Sequence, residues 1–164
     1  YLAFAGAIIG ALLRPLGGII SDRIGGARMT IASYAVMAVG AVLAITALRH
    51  HNFALFLLAF FTMFAGSGLG NGATYRMIPA IFRLRANAAS LPTARRLAGA
   101  CIGIAGAIGA YGGFLIPQGF KYSLAQAGSI IPALWVFIAV YAVMAAATWF
   151  AYARSGTAAQ AAQV

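Results

Sequence analysis

Acidic side chains are almost missing from this sequence: Asp22 is the single Asp or Glu among 164 residues, against eleven Lys and Arg. Acid–base and hydrolytic chemistry needs a pair of titrating groups close together, and none can be assembled here. Two adjacent histidines, His50 and His51, and one cysteine, Cys101, leave no metal-ligand cluster and no disulfide framework. No enzymatic activity, no metal and no cofactor is expected. Charge of either sign is scarce, at 7% of residues, whereas 63% are hydrophobic and the mean hydropathy is +0.94. A soluble domain has no use for so much apolar surface, so the composition is that of an all-α, polytopic membrane helix bundle. The net charge of +10 could suggest nucleic acid. The basic residues, however, fall in short gaps between apolar runs and form no stripe, so no nucleic-acid partner is expected. The chain opens inside an apolar run, with no initiator Met and no signal-peptide pattern. It is expected to be the C-terminal part of a longer protein.

Five apolar runs can be drawn, at about 1–21, 29–48, 53–82, 97–119 and 130–153, each long enough to cross a bilayer. The third is long for one crossing and is expected to be tilted, interrupted or shorter than drawn. Residues 154–164 form a small, polar tail, expected to be disordered. Orientation follows from basic residues in short loops. One side holds Arg23, Arg28, Arg83, Arg85, Arg95, Arg96 and Arg154; the other holds Arg49 and Lys121. The richer side is expected to be cytoplasmic, so the C-terminal tail is cytoplasmic too. Trp135 and Trp149, near opposite ends of the last run, suit the two membrane interfaces.

The first run carries an arginine in its middle. On a helix, the neighbours of Arg14 at ±3, ±4 and ±7 are Ala11, Gly17, Gly10, Gly18, Ala7 and Ser21, all small. The bulky residues, such as Phe4, Ile8, Leu12, Leu16 and Ile20, mostly lie elsewhere and are expected to face lipid. Counting back from Asp22, Arg14 sits about 12 Å inside the membrane, near the midplane of a core about 30 Å thick. A charge there costs several kcal/mol, roughly, unless it faces a cavity or a partner. No acid on the same helix is in reach. A cavity that takes up an anion is therefore the leading reading.

The third run contains four glycines at alternate positions, Gly66, Gly68, Gly70 and Gly72, with Asn71 among them. Each would weaken a water-exposed helix by about 1 kcal/mol relative to Ala. Within a membrane they serve either close helix packing or a helix unwound beside a cavity, and Asn71 either bonds a neighbouring helix or lines the transport path. Arg76 lies close enough to Arg83 to snorkel toward the interface. His50 and His51 read as solvated loop residues. In the fourth run Gly99, Gly103, Gly106, Ala110 and Gly113 share one face, while Ile104, Ile108, Tyr111 and Leu115 form a bulky one. Pro117 and the glycines before it suggest a deformable helix end.

The loop after the first run reads Gly18-Ile-Ile-Ser-Asp22-Arg23-Ile-Gly25-Gly26-Ala-Arg28. Its glycines permit a tight reversal with positive φ. The pattern G-x-x-x-D-R-x-G with a following Arg resembles the loop motif of the major facilitator superfamily, with the trailing Arg28 later than usual. Together with residues 70–82 (GNGATYRMIPAIF) and 106–117 (GAIGAYGGFLIP), the chain resembles the last five helices of the nitrate/nitrite porter family of that superfamily. The resemblance implies a secondary active transporter of nitrate and nitrite in the cell (inner) membrane, multi-pass, working by alternating access in nitrate assimilation. It implies that Arg14 is the substrate-binding arginine and that the glycine-rich segment with Gly106, Gly109, Gly112 and Gly113 is a nitrate signature; Asn71 joins them as a candidate. Asp22, Arg23, Gly25 and Arg28 carry the implied gating role. The partners are nitrate and nitrite anions, the lipid bilayer and the missing N-terminal half. Physical chemistry agrees, because a planar guanidinium fork matches a planar oxyanion bidentately. The mechanism is nitrate/nitrite antiport or nitrate/proton symport, and the lack of acids within the spans leans toward exchange. Alternatives are a transporter of another anion, or an inactive truncated membrane fragment.

Overall fold

The computed structural model describes residues 3–84, 86, 87 and 90–153. The polar tail 154–164, Arg85 and Arg154 lie outside them. The architecture is all-α: α1 (Ala3–Ile24), α2 (Gly26–Arg49), α3 (Phe53–Leu84), α4 (Leu91–Ala127) and α5 (Ile131–Thr148), the last continued by a π-helical turn at Trp149–Ala153. These give five helices long and apolar enough to cross a membrane.

The turns follow from local chemistry. Gly25 alone separates α1 from α2, at φ 93°, with its N–H bonded to the Ser21 carbonyl at 2.9 Å. A side chain is strained at that φ, so the reversal needs glycine. Residues 50–52 join α2 to α3, and the Asn52 Oδ1 caps the new helix by accepting from the Leu55 N–H at 3.0 Å. His51 there adopts φ 49°, and both histidines are exposed. Gly128, at φ 63°, ends α4.

Of the alternatives for the third run, interruption and a shorter helix fall away and tilt is left; the fourth helix does not end at Pro117. α3 runs unbroken for 32 residues through its four glycines, and α4 for 37 residues through Pro117. At 1.5 Å per residue these span about 48 and 55 Å, more than a core about 30 Å thick. The polar ends of α4 continue the helix because Ser90 and Pro92 start it well before the apolar run and nothing before Gly128 stops it.

α3 lies between α1 and α2; α5 packs on α2; α4 leans on α3 and only grazes α5. The core is made of small residues. Ala41, Ala44, Ala47, Ala59 and Ala73 are buried, and no large side chain among the described residues is fully so. Leu134 of α5 and Ile45 of α2 close the cluster. Tyr34 stacks on Tyr141, and Phe120 meets Phe137 edge-on at 5.2 Å. Without a hydrophobic drive between helices in lipid, close backbone approach and dispersion hold such a bundle. Phe4, Ile8, Leu12, Leu16 and Ile20 of α1 are exposed in this chain.

Candidate anion-binding cleft

The glycines of α1 and α3 set the site. A Cβ on Gly68 would lie 2.2 Å from the Gly10 carbonyl oxygen, and one on Gly17 2.1 Å from that of Leu69. On Gly72 it would meet the Arg14 carbonyl oxygen at 1.9 Å. Backbone therefore touches backbone along this crossing. Within the stripe of small residues around Arg14, Gly10 and Gly17 are therefore a packing seam against α3, while Ala7 and Ala11 stay exposed. The other two α3 glycines serve α2: a Cβ on Gly66 would reach Met37 Cγ at 2.8 Å, and on Gly70 the Ser33 Oγ at 2.3 Å. Glycines alternate because α3 is clasped on two sides, each needing an i, i+4 pair.

Arg14 emerges beside this seam into a half-open cleft of about 480 Å³. Its walls include Asn71 and Ser67 of α3, Ser33 and Tyr34 of α2, and Gly106 and Gly109 of α4. Four predicted substrate-binding residues, Arg14, Asn71, Gly106 and Gly109, thus line one space, whereas Gly112 and Gly113 do not border it. On the α4 side a Cβ at Gly106 would approach only the Tyr75 hydroxyl, at 3.6 Å, and one at Gly109 nothing within 4 Å.

The donors available to a guest can be counted. Thr30, Ser33 and Thr74 spend their hydroxyl hydrogens on carbonyls of their own helices, at 2.7–2.9 Å. Only their oxygen lone pairs are left, which repel an anion. Arg14, Asn71, Ser67, Tyr34 and Tyr75 make no hydrogen bond among the described residues, so their N–H and O–H groups are open to the cleft. The one acid of the chain is engaged elsewhere: Asp22 accepts from Arg76 Nε at 3.1 Å and also from its Nη2. Arg14 therefore has no carboxylate partner among the described residues.

The predicted gating residues gather at the α1–α2 reversal. Asp22 ties α1 to α3 through Arg76, which the sequence suggested only as a snorkelling side chain. Arg23 and Arg28 are exposed and make no ion pair among the described residues. Sequence reading missed Thr30, Ser33 and Tyr34, and on α3 Ser67 and Thr74. Their signal was present: 30, 33, 34 and 37 share a face of α2, and 67, 70, 71 and 74 a face of α3. Neutral hydroxyls in apolar helices so often bond their own backbone that the pattern carries little weight alone.

The fold is thus a helical membrane bundle in which a cation, unpaired among the described residues, lines a cleft. No family model matches the chain. Among curated proteins it is 39% identical to the nitrate/nitrite transporter NarU of Salmonella typhimurium, over 93% of this chain and 36% of that protein. It is 32% identical to the probable nitrate/nitrite antiporter NarK2 of Thermus thermophilus, over 94% of this chain and 33% of the relative. It is 30% identical to the probable nitrate transporter NarT of Staphylococcus haemolyticus, over 84% and 31%. The chain spans about a third of the length of the curated relatives it matches. It belongs to the nitrate/nitrite porter family of the major facilitator superfamily.

Proposed function

We propose that this chain is the C-terminal part of a secondary transporter that carries nitrate and nitrite across the cytoplasmic membrane by alternating access. One observation carries the reading: Arg14 faces a polar cleft with Asn71, and the single carboxylate of the chain is occupied by Arg76. An anion completes the charge balance that the protein leaves open. Nitrate offers three coplanar oxygens, which the guanidinium fork can engage in pairs. The open amide of Asn71 and the hydroxyls of Ser67 and Tyr75 supply further donors. The cleft is half open to its surroundings, so walls beyond this chain are needed to strip the anion of water. An N-terminal half supplies them in this reading.

The side rich in arginine is cytoplasmic, and there the Asp22–Arg76 pair ties α1 to α3 as one unit at the gating end. Arg23 and Arg28 act in that gating region, and Gly25 shapes the turn that presents them. With no carboxylate in the cleft to relay a proton, exchange of nitrate against nitrite is favoured over proton symport. The test is nitrate uptake into proteoliposomes by the complete protein, with and without internal nitrite. Replacing Arg14→Lys is expected to abolish uptake, because a point charge loses the paired geometry. Normal transport by that variant removes the proposal. Equal uptake without internal nitrite removes the exchange mechanism only.

A further inference from the structure

A second group of arginines lies away from the Arg14 cleft, where α3 ends and α4 begins. A pocket of about 440 Å³ opens there, lined by Pro79, Arg83, Arg95, Ala98, Gly99 and Ile102. We propose that it binds the phosphate of an anionic phospholipid, with an acyl chain lying along α4.

Two guanidiniums share this pocket. Arg83 spends its Nε on the Pro79 carbonyl at 3.3 Å, which fixes the side chain over the pocket and leaves both terminal nitrogens unused. Arg95, one turn into α4, is exposed and bonds nothing among the described residues. No acid can neutralise either, because Asp22 is the only one in the chain and Arg76 holds it. Like charges facing one space repel, and a shared oxyanion converts that repulsion into attraction. Basic pockets between membrane helices at the headgroup level bind anionic lipid headgroups in this way.

The remaining walls decide between a lipid and a free anion. Ala98, Gly99, Ile102 and Pro79 are apolar, and a Cβ at Gly99 would meet nothing within 4 Å. The pocket therefore continues onto the open, smooth face of α4. A free oxyanion gains nothing from such a surface, whereas an acyl chain buries apolar area against it. Charge at one end and grease at the other is the signature of an amphiphile.

The experiment is native mass spectrometry of the complete protein in detergent, titrated with phosphatidylglycerol or with phosphatidylcholine. The expected result is one tightly held phosphatidylglycerol, with phosphatidylcholine bound more weakly. The double variant Arg83→Gln/Arg95→Gln is expected to lose affinity for it by about tenfold or more. A charge-matched control, Arg49→Gln/Lys121→Gln, removes two cations from the opposite end and is expected to stay within about twofold. Both arginines are exposed, and an unchanged unfolding temperature of the double variant shows that its fold is intact. If that temperature falls, the charge-retaining Arg83→Lys/Arg95→Lys takes its place, with a partial loss expected. Equal losses in test and control pairs overturn the proposal, because the attraction is then diffuse. Displacement of the lipid by millimolar inorganic phosphate overturns it too, and reassigns the pocket to a soluble oxyanion. Neither readout uses nitrate transport, so failure here leaves the Arg14 reading intact.

Discussion

Two glycine-rich helices of this chain use the same residue for opposite ends. In α3, Gly66, Gly68, Gly70 and Gly72 would each bring a Cβ to within 2.8 Å of a neighbouring helix, and as close as 1.9 Å. In α4, Gly99, Gly103, Gly109, Gly112, Gly113 and Gly119 would meet nothing within 4 Å. The first helix is clasped by its neighbours; the second presents a smooth face that this chain leaves uncovered. Glycine density therefore says that a backbone can be approached, and only its surroundings say by what. For α4, the anion cleft accounts for Gly106 and Gly109 alone.

Substitutions can break this contrast or sharpen it. The largest effect on the fold is expected from Gly72→Ala, where the methyl group runs into the Arg14 carbonyl and neither backbone can yield alone. A loss of about 3 kcal/mol is expected, read as a lower unfolding temperature in detergent, and it should displace Arg14 as well. Gly70→Ala tests the gentler side of the same helix. Its methyl meets the Ser33 hydroxyl, which can rotate away only by giving up its bond to the Thr30 carbonyl, and the Ser33 Cβ at 3.0 Å, so a loss of about 2 kcal/mol is expected in the same assay. Gly103→Ala on α4 has free space and should raise the stability of this chain by up to about 1 kcal/mol through helix propensity. A clear loss for the same change in the longer protein would show that segments outside this chain cover the stripe. The smallest effect on stability is expected from Asp22→Asn, because the ion pair with Arg76 is solvent-exposed and such pairs add little. Its consequence should appear in transport rate instead. Arg76→Gln should reproduce it, and the double variant should be no worse than either single one.

Much of this contrast could be read before any coordinates. The small stripe through Gly10, Gly17 and Gly18 pointed to a special face of α1, and the isolated Arg14 pointed to a cavity. Asn71, a polar group among the α3 glycines, already offered itself as a lining residue, whereas Gly106 and Gly109 could be grouped with Arg14 only through the family resemblance. Periodicity could not say that the stripe would be spent on α3 rather than on the cavity, because small residues serve both uses equally. It could not pair Asp22 with Arg76 either: the two are 54 residues apart, and several arginines were equally available. Pro117 misled for a physical reason. Proline ends a helix in water, but in an apolar setting the freed carbonyl has few alternatives and the helix carries on.

One consequence of the α1–α3 crossing is mechanical. At Gly10, Gly17, Gly68 and Gly72 main chain rests on main chain, so at those points no side chain is present to flex, swing or be squeezed. The pair is a strut, and whatever bends or rocks during a working cycle must carry it whole. Spin labels at its two members would report one fixed separation throughout, like marks on a ruler, while labels on α1 and α4 drift apart and return.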